Sequence, residues 1–155
     1  MTVSVTSPIT GSAQTGLTSP TYTLTTDTAP DNNGKQYAVT ALGGTQTGVN
    51  THSVAAPFTI TVIRPKNLKV LGQPNPVTGV VRNVPRNSYK VLVRKGVLPL
   101  AGQPYATALL TLTLDVPAGA DLADAVNIRA AVSAMIGTLS QVSAGLGDTA
   151  VSGVL

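Results

Sequence analysis

The chain has no cysteine. Neither a disulfide framework nor a thiolate metal site is therefore open to it. Histidine is almost as scarce: His52 stands alone among Asn50, Thr51 and Ser53. A single loop imidazole with no second histidine reads as a polar loop residue rather than a metal ligand or a general base. Charge is the third shortage, with only 10% of residues charged against 43% hydrophobic. That balance excludes a disordered chain, which would be poor in apolar residues and rich in charge. It leaves two readings of the surface open. Either thr, Ser, Asn and Gln supply its polarity, or much of it is hidden in an assembly.

Acids are missing altogether from 32–114, while eight of the ten Lys and Arg residues fall between Arg64 and Lys95. Four of the six acids, Asp115, Asp121, Asp124 and Asp148, come after that segment. Charge so segregated points to a polyanionic partner for the middle of the chain. The amino terminus has no basic region followed by an apolar core, and no apolar run approaches the ~20 residues of a membrane span. The expectation is a soluble product, intracellular at synthesis, with no membrane partner.

No catalytic constellation emerges. A serine or threonine nucleophile would need a base, and His52 has no visible third member. Asp27, Asp31 and the late aspartates read as turn and cap residues rather than an acid–base pair. Gly43-Gly44-Thr45-Gln46-Thr47-Gly48 lacks the lysine and helix of a phosphate loop. The chain is not expected to be an enzyme, and no cofactor, catalytic residue, metal site or small-molecule substrate is assigned.

What is present is alternation. In Asn87–Lys95, Tyr89, Val91 and Val93 share one strand face and Lys90, Leu92 and Arg94 the other. The first face suits a core, whereas the second must meet water or an anion. Weak alternation over Thr2–Thr6, then a clearer strand over Thr21–Thr26, predicts an amino-terminal hairpin. Strands are also expected over Gln36–Ala41, Phe58–Arg64 and Ala106–Val116, with a polar loop from Gly43 to Ser53 and a short edge strand near Leu68–Leu71. Pro74, Pro76 and Pro85 mark 66–86 as a long connection of functional length. Beyond Pro117 and Gly119 the period becomes helical. Asp121 is a candidate N-cap, Ile128, Val132, Met135, Ile136 and Leu139 form an apolar stripe, and Gly145 and Gly147 end the helix before a second one capped by Asp148.

Phe58-Thr-Ile-Thr-Val-Ile-Arg-Pro65, Arg86-Asn-Ser-Tyr-Lys-Val-Leu-Val93, Leu110-Thr-Leu-Thr-Leu114 and Asn127-Ile-Arg-Ala-Ala-Val-Ser-Ala-Met-Ile136 occur in this order. Together they resemble the coat proteins of single-stranded RNA bacteriophages, the levivirus group, nearer the Q-beta type. The resemblance implies an α+β fold: an antiparallel sheet with an amino-terminal hairpin, followed by two carboxy-terminal helices that interlock with a partner subunit. It covers one domain over 1–155, with the hairpin in 1–26, the main sheet in 35–116 with long loops at 65–85 and 95–105, and the helices in 119–155. It further implies an obligate homodimer, a quasi-equivalent icosahedral capsid, synthesis in the bacterial host cytoplasm and location in the virion. Single-stranded RNA would lie on the sheet face away from the helices, an operator hairpin included. By position, Lys90, Arg86, Ser88, Thr59, Thr61, Thr111 and Thr113 would contact RNA, and Arg94 shares the polar face of the strand. Leu92 and Ile63 are more apolar than the family pattern, and the 66–85 connection is longer. The alternative reading is a secreted or surface β-rich binding module, of the adhesin kind, whose basic strands hold an acidic glycan.

Overall fold

The computed structural model describes residues 3–155. Six strands form one antiparallel sheet in chain order: β1 (Ile9–Thr10), β2 (Thr18–Asp27), β3 (Gly34–Thr45), β4 (Phe58–Ile63), β5 (Arg86–Val97) and β6 (Ala106–Pro117). Three helices follow, α1 (Ala120–Ala123), α2 (Ala125–Gln141) and α3 (Ser143–Ser152). This is the expected class, a sheet followed by carboxy-terminal helices. Each strand pairs with the one made just before it, as short antiparallel connections allow.

The alternation places side chains as the sequence implies. Register pairs Tyr37 with Ile60, Ile60 with Val93 and Val93 with Leu110, and likewise Val62 with Val91 and Val91 with Leu112. These residues therefore share one apolar face. Tyr22 and Phe58 lean together over the intervening β3, their rings edge to face with centroids 5.7 Å apart. Such a contact suits the positive edge and negative face of aromatic rings.

Several boundaries differ from expectation. Val3–Thr6 is not a strand, and Thr2 lies outside the described residues. The hairpin is instead closed by β1, with Ile9 opposite Tyr22 and Thr10 opposite Thr21. β3 continues through Gly43 and Gly44, which the sequence had assigned to a loop. A Cβ on Gly44 would lie 2.2 Å from the Ser19 carbonyl oxygen, and its φ is +72°. Glycine there marks close backbone approach at an irregular stretch of the β2–β3 ladder rather than a loop. Leu68–Leu71 forms no strand. The Asn87 side chain substitutes for a ladder, accepting from the Lys69 N–H at 2.8 Å and donating to the Lys69 carbonyl at 3.1 Å.

The helices also start and stop elsewhere. Gly119, at φ 86°, precedes the single turn of α1, and Asp124 rather than Asp121 stands at the N-cap of the long helix. Its carboxylate accepts from the Asn127 side chain at 2.8 Å rather than from the backbone. α2 ends at Gln141, and Gly145, Gly147 and Asp148 all lie inside α3. Asp148 accepts from Thr15 Oγ1 at 2.9 Å, while Gln14 Nε2 donates to the carbonyl and hydroxyl of Ser143. The amino-terminal turn is thus fastened to the α2–α3 junction.

The core is small for a chain this apolar. Among the described residues, the buried hydrophobic ones are Ala38, Val39, Ala56 and Ala118. No residue of α1, α2 or α3 is buried, and Met135, Ile136, Leu139 and Leu146 are exposed. A groove of ≈ 410 Å³ runs beside β6, lined on one side by Leu114 and Val116 and on the other by Ile128, Val132 and Met135. The exposed stripe therefore favours the assembly reading of the charge-poor surface over the polar-surface one.

Gly44→Ala should destabilise the chain more than Gly79→Ala, since a Cβ at Gly79, φ +67°, meets nothing within 4 Å. The Gly79 change carries only the left-handed backbone term, about 1–2 kcal/mol. Urea midpoints of the two variants, measured side by side, check the order.

Candidate nucleic-acid interface

The opposite face of the sheet follows from the same register. Thr59 pairs with Arg94, Thr61 with Leu92, Ile63 with Lys90, Lys90 with Thr113, Leu92 with Thr111 and Ser88 with Asp115. All eight residues assigned from the sequence, Arg86, Ser88, Lys90, Arg94, Thr59, Thr61, Thr111 and Thr113, therefore lie on one face. Their accessibility divides them. Arg86, Ser88, Lys90, Thr111 and Thr113 are exposed, Arg94 is half-buried, and Thr59 and Thr61 are buried at 2% and 1%.

Hydrogen bonding accounts for the division. Arg94 Nε donates to Thr59 Oγ1 at 3.2 Å and its Nη2 to Gln36 Oε1 at 3.0 Å. The same Gln36 oxygen accepts from Thr61 Oγ1 at 3.0 Å, and Gln36 Nε2 donates to Asp27 Oδ2 at 2.6 Å. A chain of side chains thus runs from β2 to β5, and it satisfies threonine hydroxyls that would otherwise be buried without partners. The Gln36 amide, followed by the Thr28 backbone N–H, holds the Asp27 carboxyl below its ordinary pKa. Gln36 could have been found by counting back from Tyr37 and Val39, which puts it on the polar face. Asp27 could not, because only register brings it there.

The basic residues do not form one surface. Lys95 lies on the apolar face opposite Phe58, its Nζ 4.5 Å from the ring centroid and 2.6 Å from the Asn50 carbonyl oxygen, and burial pushes its pKa down. The arrangement is a cation–π contact that anchors the 46–57 loop. His52 fastens that loop as well, its Nδ1 accepting from the Phe58 N–H at 3.0 Å. Lys69 belongs to the segment tied to Asn87. What the polar face keeps is Arg86, Lys90 and the half-buried Arg94. Phosphates meeting that face would find two exposed cations among hydroxyls, which can position a backbone and leave base edges to the polar groups around them. Among the described residues no three His, Cys, Asp or Glu side chains come together as metal ligands.

The Asp27 carboxyl is held low in the folded chain, so its contribution is present above its unfolded pKa of about 4 and is lost as pH falls through the folded value. Asp27→Asn should therefore shrink the fall in stability between about pH 7 and about pH 3. Urea midpoints at the two pH values check it, and an unchanged acid fall would separate Asp27 from the network.

No family model matches the chain, and no curated protein does. A solved structure is similar throughout: the virus-like particle of bacteriophage ESE020 is 60% identical, with a TM-score of 0.96, over 99% of this chain and 100% of that one. With identity at that level over the whole length, and with the six-stranded antiparallel sheet and carboxy-terminal helices in common, the chain belongs to the bacteriophage coat proteins and has a structural role in the capsid.

Proposed function

We propose that this coat protein forms a homodimer, assembles from dimers into a closed icosahedral shell, and packages single-stranded RNA against the polar face of its sheet. The full-length similarity to a protein of a virus-like particle supports assembly and displaces the glycan-binding alternative. The observation that carries the dimer is the unfinished apolar surface. Among the described residues β6 is the last strand of the sheet, with its outer edge unpaired, and the helix beside it exposes Met135, Ile136 and Leu139. A long unpaired edge is a template for another strand. A second copy offers one of the same length, and helices that can cover the first copy's sheet while their own stripe is covered in return. Each large apolar side chain removed from water contributes about 1.5–3 kcal/mol, so even a few make the association substantial.

The RNA reading rests on Lys90 and Arg86 standing exposed on the face that also carries the hydroxyls of Ser88, Thr111 and Thr113, with Ile63, Leu92 and Leu109 as its apolar members. In this reading Ser88, Thr111 and Thr113 are the accessible polar contacts. Arg94, Thr59 and Thr61 act through the network that holds the face in shape, and an operator hairpin is the specific form of the ligand.

If dimerisation completes the fold, the melting temperature should rise with protein concentration. Ile136→Asp should abolish dimers in analytical ultracentrifugation. A variant chain that stays dimeric would remove the helix stripe from the interface.

Lys90→Ala should leave dimer stability within about 1 kcal/mol, because the side chain is exposed. RNA affinity should fall, and a phosphate contact would make the slope of log affinity against log salt shallower by about one. Filter binding over a salt series checks both.

A further inference from the structure

Asp115 is an acid on the face just assigned to RNA. It is exposed, and among the described residues of β4, β5 and β6 it is the only carboxylate. Ser88, directly opposite on β5, donates its hydroxyl to Oδ1, which fixes the carboxylate's orientation. Lys90 is paired with Thr113, the same-face residue two before Asp115, so ammonium and carboxylate are diagonal neighbours. Such neighbours stand about 7–8 Å apart, within reach of a long side chain.

A carboxylate repels phosphate, so on a face that receives RNA its favourable contact is with the N–H groups of a base. Each carboxylate oxygen has two lone pairs, and only Oδ1 is engaged by Ser88. Guanine offers two adjacent donors, N1–H and the N2 amino group, beside the O6 acceptor. Unpaired RNA bases are read on this Watson–Crick edge. A fixed carboxylate next to a flexible ammonium complements that order: Asp115 accepts from N1 and N2, and Lys90 donates to O6. Adenine lacks the second donor, and cytosine presents a single amino group. We infer that Asp115, oriented by Ser88 and set diagonally to Lys90, is a specificity-determining residue that selects an unpaired guanine in bound RNA. This inference rests on the RNA-binding reading above.

The test uses assembled dimers of the full chain and a pool of RNA hairpins with one common stem and randomised unpaired loops. Wild-type protein should enrich a loop guanine. Replacing that guanine by inosine, which lacks the N2 amino group, should weaken binding about tenfold. Asp115→Asn and Asp115→Ala should abolish the enrichment without reducing dimer stability, and Ser88→Ala should weaken it. Three results would overturn the inference: no guanine enrichment by wild type, a uniform rise in affinity for every loop in the Asp115 variants with enrichment intact, or a loss of dimer stability with unchanged selectivity. The second would mean the carboxylate only repels phosphate, and the third that it serves the subunit contact. Lys90→Ala separates failure of the inference from failure of its premise: if that change leaves affinity for the whole pool unaltered at every salt concentration, the RNA-facing assignment itself is wrong.

Discussion

The uninterrupted register of β5 on β6, from Arg86 opposite Pro117 to Val97 opposite Ala106, is the constraint on which the rest of the molecule depends. A slip of β6 by one residue against β5 would turn Thr111 and Thr113 to the apolar face and bring Leu112 and Leu114 to the polar one. The ladder therefore fixes more than two strands. It decides which face is apolar, brings Asp115 to Ser88, and aims the chain beyond Pro117 so that α2 starts beside the outer edge of the sheet. The side-chain network from Asp27 to Arg94 holds the older strands to the same register from the polar side.

The fold is incomplete in a specific way. Its polar face satisfies itself through Gln36, Arg94 and the buried threonines, whereas its apolar face and helices leave large side chains in water. A chain with so few charges has little means of solvating such a surface alone. The shortage of charge and the exposed stripe are thus two views of one property, and both belong to a protein whose role is structural in a capsid.

Where strict alternation governed, the sequence was informative. Phe58–Ile63, the strand around Lys90 and the Thr/Leu strand all lie where the period of two places them, and the polar-face residues come together as expected. Boundaries failed where tertiary contacts overrode local composition. Gly43 and Gly44 look like a loop, yet close approach to the Ser19 backbone makes them part of β3. Gly145 and Gly147 look like a helix end, yet the bend falls at Val142, where Gln14 reaches Ser143 from the far end of the chain. Burial of Thr59 and Thr61 was equally invisible, because it depends on Arg94 and Gln36 from neighbouring strands. The run of cations between Arg64 and Lys95 misled in one respect: proximity in sequence did not place Lys95 or Lys69 with Lys90.

The contacts of Gln14 with Ser143 and of Thr15 with Asp148 have a consequence for how the chain is made. Strands added in sequence order can each dock on the one before, so the sheet needs no residue that has yet to be synthesised. The fastening between the amino-terminal turn and the last helix cannot form until nearly the whole chain has emerged. A nascent chain can therefore hold its sheet while the two ends remain unjoined, and completion of the carboxy-terminal helix becomes the event that closes the subunit.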